Sequence, residues 1–213
     1  MSVISLIRSA VLYKIVICCL CLAPLAAASD WNDWNYEETH DEVRTFAAGG
    51  MIHVRLYVGD LHIRRGDSDK IRVHYTVKSR RESRVKEAHV DFNLHGHDAN
   101  IEFHASTGGN TQFEVEMEVP QNTNLDVHEK VGDLTIEEVE GDKDLDVGVG
   151  DIRVAVERST YHVVRASTGI GDVNGDGYGE TSGWLGKTLK YSGDGKYELR
   201  AHVSIGDITL EGK

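Results

Sequence analysis

The 213-residue sequence contains only three cysteines and two prolines, and all three cysteines lie within its first 21 residues. If that first segment is removed on export, the remaining chain has neither disulfide bonds nor thiolate chemistry available to it. Glycines number 22, which is typical of β-rich folds whose turns use glycine and whose sheets keep their hydrogen-bond donors. The stability of the folded chain must therefore come from an apolar core and from β-ladders.

The N-terminus has the composition of an export signal. Arg8 and Lys14 precede a 14-residue apolar run that ends in three alanines just before Ser29. This run falls short of the roughly 20 residues needed to cross a bilayer, and a proline interrupts it. We therefore predict a signal peptide over residues 1–28, export to the periplasm or the cell exterior, and no stable membrane span after cleavage.

Acidic residues dominate the charge, with 35 Asp and Glu against 23 Lys and Arg and a formal net charge of −12. Removal of Arg8 and Lys14 with the signal peptide takes this charge to −14. Such a charge argues against nucleic acid and anionic lipid surfaces as partners and leaves cations and basic surfaces open. The remaining chain of about 185 residues suits one domain.

The chain after the signal peptide divides into a lead-in and one β domain. Residues 29–43 are acidic and aromatic without a helix or strand period, so we predict a flexible lead-in whose aromatic side chains dock on a partner or fold back on the domain. From Arg44 onward, apolar and polar residues alternate, which predicts antiparallel hairpins up to Pro120. Residues 79–88 interrupt this alternation and predict a short surface helix or a solvated loop.

A short pattern, an apolar residue followed by Gly-Asp and an alternating apolar tail, occurs five times. Glycine can take a positive φ, and the aspartate carboxylate can accept hydrogen bonds from nearby backbone N–H groups. Each copy therefore predicts a turn between two strands. Stacking of these turns would also place carboxylates together, which leaves open a cation site. The predicted turn residues are Gly59, Asp60, Gly132, Asp133, Gly150, Asp151, Gly171, Asp172, Gly206 and Asp207.

The spacing of the copies predicts a repetitive architecture. The glycines of the last four copies, at positions 132, 150, 171 and 206, are 18, 21 and 35 residues apart. The last interval is long enough for two units of similar size. We therefore predict an all-β fold with a short, β-helix-like solenoid over residues 121–213, preceded by the antiparallel hairpins. For residues 44–120 a solenoid and a two-sheet sandwich both remain open.

The segments that carry this pattern resemble a known family. They are Val131-Gly-Asp-Leu-Thr-Ile-Glu-Glu-Val-Glu-Gly141, Leu145-Asp-Val-Gly-Val-Gly-Asp-Ile-Arg-Val154 and Ser204-Ile-Gly-Asp-Ile-Thr-Leu210. Over residues 44–213 the chain resembles the putative-adhesin family, a domain of unknown function found mostly in exported or membrane-associated bacterial proteins. The resemblance implies a repetitive β architecture and an envelope location, and it brings no catalytic residues.

One loop has the oxygen-ligand spacing of a calcium site, with glycine at its sixth position. Its twelfth position, where a bidentate glutamate normally closes the site, is Gly183. The alternative interpretation is a glycine-rich β-loop without a cation. The predicted calcium ligands are Asp172, Asn174, Asp176, Tyr178 and Glu180.

Eleven histidines include one tight pair, His95 and His97, followed by Asp98. Two histidines do not make a metal site, and His89 and His104 on neighbouring strands would have to complete it. A polar hairpin turn explains the pair equally well.

The sequence favours binding over catalysis. It has no cysteine after the signal peptide and no Gly-x-Ser-x-Gly motif, so nucleophilic catalysis has little support. We predict a non-catalytic, adhesin-like or scaffold module without a cofactor, which presents an acidic surface to a protein or polysaccharide at the cell envelope. The alternatives are an accessory or sensory component of envelope homeostasis and, with less support, a carbohydrate-active enzyme that uses two of the many carboxylates.

Overall fold

The computed structural model describes residues 34–105 and 110–212, and these residues form an all-β fold, as predicted. The predicted signal peptide lies outside the described residues. Within the described ranges no helix is long and apolar enough to cross a membrane. The α-helix there, α1, spans Glu82–Glu87 and lies inside the segment predicted as a surface helix or loop.

Sixteen strands join into one hydrogen-bonded sheet. In chain order they are β1 (Tyr36–Thr45), β2 (Met51–Arg65), β3 (Lys70–Ser79), β4 (His89–His95), β5 (Asp98–His104), β6 (Thr111–Val119), β7 (Asn124–Val131), β8 (Leu134–Glu137), β9 (Lys143–Val149), β10 (Ile152–Val156), β11 (Tyr161–Ile170), β12 (Val173–Asp176), β13 (Thr181–Ser182), β14 (Thr188–Ser192), β15 (Tyr197–Ile205) and β16 (Ile208–Gly212). A 3-10 turn at Arg158–Thr160 precedes β11.

Strand β2 connects two layers of this sheet. Its residues 51–58 pair in parallel with β7 in a layer that we call sheet B, ordered β4-β5-β2-β7-β9-β15-β11-β14-β13. Its residues 59–65 pair in parallel with β6 in sheet A, ordered β1-β3-β6-β2-β8-β10-β16-β12. The chain therefore passes from sheet B to sheet A at Gly59.

Four further strand pairs repeat this passage, each through one Gly-Asp dipeptide. They are β7–β8, β9–β10, β15–β16 and β11–β12, and we call each of them, together with β2, a rung. Neighbouring rungs are parallel in both sheets. Across the stack the order is β2, β7–β8, β9–β10, β15–β16 and β11–β12, so the last two rungs are exchanged relative to the chain order.

This exchange accounts for the long interval between Gly171 and Gly206. The spacing predicts room for two repeat units there. Instead, β14 pairs antiparallel with β11 and with β13 at the edge of sheet B, and the chain then returns as β15 between two earlier rungs. The interval therefore contains an edge hairpin in place of one of the two expected units.

The first half of the domain differs from a set of simple hairpins. Antiparallel pairs are present between β4 and β5, between β1 and β3, and between β3 and β6. However, β2 is parallel to each of its four neighbours. The prediction of hairpins alone over residues 44–120 is therefore wrong for β2, which is the first rung of the stack.

The end of the predicted flexible lead-in is also ordered. Tyr36–Thr45 form β1, which pairs antiparallel with β3 along ten residues. The pairing joins their backbones, so it does not require an apolar period in the side chains of β1. The sequence therefore predicts the wrong state for residues 36–43.

The buried apolar side chains form one cluster. In β6, for example, Phe113, Val115 and Met117 are buried while Glu114 and Glu116 between them are exposed. Because side chains alternate between the faces of a strand, each strand contributes one row to the core and one row to the surface. The alternation predicted from the sequence is thus the alternation observed.

The corner glycines allow neighbouring rungs to approach closely. Gly150 has a φ of 139°, which L side chains rarely adopt, and a Cβ there would overlap the carbonyl oxygen of Gly132 in the adjacent rung. The same relation holds at the corner glycines of the last four rungs, where each missing Cβ leaves room for the carbonyl of a neighbouring corner glycine. At Gly59 the missing Cβ leaves room for the carbonyl of Phe113 in β6. Glycine is therefore required both by the backbone conformation and by the space.

We expect Gly150→Ala to lower the free energy of unfolding by more than about 2 kcal/mol, because it adds backbone strain and a steric clash. Gly96→Ala is the matched control, since Gly96 has a φ of 65° with no atom within 4 Å of its would-be Cβ, and we expect a loss of only about 1 kcal/mol there. Urea denaturation of both variants measures the difference. Equal losses would show that the close approach of the rungs does not matter.

Candidate functional site

The five corner aspartates form a ladder of hydrogen bonds at the edge where the two sheets meet. In each step a backbone N–H of one aspartate donates to the side-chain Oδ1 of the aspartate in the neighbouring rung. The donor-to-acceptor distances are 3.3 Å for Asp133 to Asp60, 2.9 Å for Asp151 to Asp133, 2.8 Å for Asp207 to Asp151 and 2.7 Å for Asp172 to Asp207. The predicted turn aspartates are thus brought together in one line.

The ladder is stable despite its like charges. Strands in a sheet are about 4.8 Å apart, and two carboxylates at that distance in water repel each other by about 1 kcal/mol. A hydrogen bond to a charged acceptor contributes about 1.5–3 kcal/mol, so the amide donors outweigh the repulsion. All five side chains remain exposed, and the result is a row of fixed negative charges on the surface.

An apolar row runs beside the aspartates. Each residue that precedes a corner glycine is Val or Ile and is exposed by 43–50%, although alternation along the strand predicts a buried position. These residues pair with one another directly across sheet B and are Val58, Val131, Val149, Ile205 and Ile170. We call the apolar row and the aspartate row together the corner strip.

Two grooves extend the acidic side of the corner strip. One, of about 300 Å³, is lined by Asp133, Asp151 and Asp207, with Arg153 paired to Glu211 at 3.7 Å. The other, of about 470 Å³, continues over sheet A and is lined by aspartates, glutamates and two histidines. The strip therefore borders concave surface that carries mostly negative charge.

A buried glutamate lies behind the corner strip. Glu129 in β7 is 2% exposed and occupies a core position between Leu56 and Val147 of the neighbouring strands. Neither of its carboxyl oxygens has a hydrogen-bond partner among the described residues. Burial, together with the smaller effects of the nearby charges of Asp60 and Asp133, raises the pKa of Glu129 to about 8. The side chain is therefore protonated at neutral pH.

A buried lysine lies at the start of β9, at the other end of the strand from its corner. The Nζ of Lys143 donates to the Tyr161 hydroxyl at 2.7 Å and to the Gly141 carbonyl at 3.0 Å. Burial lowers its pKa to about 7, against the smaller opposing effect of Asp142. Because its side chain is buried and its ammonium group is hydrogen-bonded to Tyr161 and Gly141, Lys143 is a structural group rather than an exposed nucleophile.

Glu129 and Lys143 are not among the site residues predicted from the sequence. Both interrupt an alternating apolar pattern, Leu125-x-Val127-x-Glu129 and Lys143-x-Leu145-x-Val147. A polar residue in the core phase of a strand is the signal that could have found them.

We expect the free energy of unfolding to fall as pH rises because of Glu129. The folded state holds this proton up to about pH 8, whereas the unfolded chain releases it near pH 4.5, so the folded state binds more protons between these values. Glu129→Gln should remove this contribution, which amounts to about 1.4 kcal/mol per pH unit in that window. Urea denaturation at pH 5, 6 and 7 compares the variant with the wild type.

The exposed Glu180→Gln is the control, and its stability should follow the wild-type pH dependence. Lys143, whose pKa is about 7 in the folded state, does not disturb the comparison, because the variants and the wild type all carry it and its contribution cancels in the difference. If Glu129→Gln and the wild type lose stability in parallel, Glu129 is already ionised in the folded state.

The structure does not bring the predicted calcium ligands together. Val173–Asp176 form the extended strand β12, and along a strand residues 172 and 176 are about 13 Å apart. The Tyr178 side chain is 1% exposed and packs edge-on against Tyr191. The Arg158 guanidinium donates to the carbonyl of Gly177 within the predicted loop, where it opposes a cation. Calcium binding here stays a prediction, and this geometry does not favour it.

The tight histidine pair lies at the turn of the β4–β5 hairpin. His95 is opposite Asp98, whereas His89 and His104 are opposite each other at the far end of the same hairpin. The four histidines therefore do not form one cluster, and the alternative interpretation of a polar hairpin turn describes His95 and His97.

Comparison with known proteins supports the fold. No family model matches the sequence, and no curated protein matches it. The fold is similar to that of a putative cell adhesion protein from Clostridium sporogenes, with a TM-score of 0.54 and 15% identity over 83% of this chain and 100% of that chain. A putative adhesin from Parabacteroides distasonis aligns with a TM-score of 0.31 and 15% identity over 81% of this chain and 70% of that chain.

The first of these likenesses shows an adhesin-like fold. Membership of the putative-adhesin family itself stays a prediction.

Proposed function

We propose that this chain is an exported, non-catalytic, adhesin-like β module that binds a basic polypeptide segment at the cell envelope through the corner strip. The observation that carries the proposal is the alignment of five Val/Ile-Gly-Asp corners, which exposes an apolar row directly beside a row of carboxylates. Export is proposed from the N-terminal signal sequence. The parallel rungs support a solenoid-like architecture that includes β2.

The corner strip has the dimensions of a peptide site. Five strands about 4.8 Å apart give a strip about 19 Å long, which matches about six residues of an extended segment at 3.3 Å per residue. Exposed apolar side chains in a continuous row contribute binding free energy when a partner covers them, at roughly 25 cal/mol per Å². The strip is therefore suited to a short segment rather than to a globular surface.

Charge selects the partner class. The aspartate row, the acidic grooves beside it and the net charge of −12 attract cations and repel acidic surfaces. A segment with both apolar and basic side chains satisfies both rows of the strip. A neutral polysaccharide would form no ion pairs with the row of charges and would cover the Val and Ile side chains only in part. We therefore propose a polypeptide.

We expect a 12-residue peptide of lysine and leucine to bind the chain, with an affinity that falls as salt rises. The triple variant Asp133→Asn, Asp151→Asn, Asp207→Asn should weaken binding at least about tenfold, because it removes three charges and keeps oxygen acceptors for the ladder. Biolayer interferometry measures the affinities. The control carries the same charge change at exposed aspartates away from the strip, as Asp98→Asn, Asp144→Asn, Asp194→Asn.

A second variant separates the two rows. Val131→Thr with Val149→Thr keeps the β-branched shape, removes apolar surface and leaves the charges, so it should weaken binding without changing the salt dependence. Equal losses in the strip variant and in the charge control would contradict the corner strip as the site. Binding of a neutral glycan array, unaffected by either strip variant, would instead favour a polysaccharide partner at another surface.

A further inference from the structure

A group of side chains that could hold a metal ion lies on the outer face of the β4–β5 hairpin, whose strand β5 is the neighbour of β2 in sheet B. The ligand atoms of His89, Asp91 and His104 all lie within 4.8 Å of one another. In the part of the chain that the structure describes, this is the single group of three His, Cys, Asp or Glu side chains that close together. It is distinct from the histidine pair at the hairpin turn.

The antiparallel register creates this group. His89 in β4 is directly opposite His104 in β5, and Asp91 is opposite Glu102 two residues further along. Residues two apart on a strand share a face, so all four side chains project from the same side. The two imidazole rings stack with centroids 5.0 Å apart.

The distances fit a transition-metal ion. The His104 Nε2 lies 3.2 Å from the Asp91 Oδ2 and 3.9 Å from the Glu102 Oε2. A tetrahedral ion with bonds of about 2.0–2.1 Å holds its ligand atoms about 3.3 Å apart. The His104 Nε2 is shielded from solvent and has no hydrogen-bond partner among the described residues. A proton on this nitrogen would pair it with the two carboxylates, and a metal ion would replace that proton.

The hydrogen bonding of the second histidine leaves one of its ring nitrogens available for a metal. The Nδ1 of His89 lies 3.1 Å from the backbone carbonyl oxygen of Glu87. A carbonyl oxygen can only accept, so this contact places the proton on Nδ1 and leaves the Nε2 lone pair free to bind a metal. Metal-binding histidines in proteins are commonly held in this way by a backbone carbonyl.

We propose that His89, Asp91 and His104 bind a divalent transition metal of the zinc class, with Glu102 close enough to balance its charge. Two imidazoles and a carboxylate suit Zn²⁺ and disfavour Ca²⁺, which requires six to eight oxygen ligands. The ion would cross-link β4 and β5 at the end of the hairpin, because β5 continues past Glu102, its last residue paired with β2. A three-residue site also leaves a fourth position open to water or to a ligand from a binding partner.

Isothermal titration of the metal-stripped chain with ZnCl₂ and with CaCl₂ at pH 7.5 tests this site. We expect one equivalent of Zn²⁺ to bind and Ca²⁺ not to compete. His104→Gln and Asp91→Asn should each weaken this binding at least about tenfold, whereas His97→Gln, an exposed histidine on the same hairpin, should leave it unchanged. Absence of Zn²⁺ binding, or equal affinity in all four proteins, would overturn the proposal.

A second measurement does not depend on the variants remaining folded. Imidazole NMR signals of the wild-type chain should shift first at His89 and His104 when one equivalent of Zn²⁺ is added. Shifts confined to other histidines would overturn the proposal even if Zn²⁺ binds.

Discussion

The fold depends on the hydrogen bond between the backbone N–H of one corner aspartate and the side-chain carboxylate of the next. This bond, repeated four times, fixes the register of five parallel rungs at the point where each chain segment leaves one sheet and enters the other. The glycine before each aspartate makes the bond possible, because only a residue without Cβ lets the neighbouring carbonyl approach so closely. Apolar burial stabilises the sheets, and the corner bonds, with the backbone hydrogen bonds on either side of each corner, hold them in register.

The same constraint creates the candidate binding surface. A corner that is two residues wide cannot bury the residue before the glycine, so Val or Ile is exposed in every rung. Because the rungs are in register, five separate exposures become one apolar row, and five turn aspartates become one row of charge. The proposed binding surface therefore follows from the repetition of the corner in every rung. Glu129 and Lys143 lie in the core rows at opposite ends of their strands, and both have pKa values moved toward neutrality by burial.

The sequence predicts those parts of the fold that are set by local patterns. Alternation in β2 and β6 and the Gly-Asp dipeptides can be read from neighbouring residues, and they predict the strands, the core rows and the turn positions. The order of the rungs cannot be read in this way. Whether β15 pairs with β9 or with another strand is decided by contacts between residues more than 50 positions apart. The strand β1 forms by backbone pairing with β3. This pairing requires no alternation of apolar and polar residues in β1, so the sequence does not reveal the strand.

The candidate sites show the same division. The sequence predicts the aspartates of the corner strip as turn residues, but their arrangement in one line depends on the parallel, in-register stacking of the five rungs. The grouping of His89 with His104 depends on the register of one hairpin, which places them opposite each other rather than beside His95 and His97. The calcium spacing of residues 172–180 is a pattern in the sequence that the extended backbone of β12 spreads apart.

Amide hydrogen exchange at the corners tests the central claim most directly. The amides of Asp133, Asp151, Asp207 and Asp172 belong to exposed turn residues, which ordinarily exchange fast. If their hydrogens are donated to the neighbouring carboxylates, they should exchange about as slowly as the core strand amides of β9 and β15. Exchange at the rate of an open loop would contradict the account, because the rungs would then be held by the core and the strand ladders without the corner bonds.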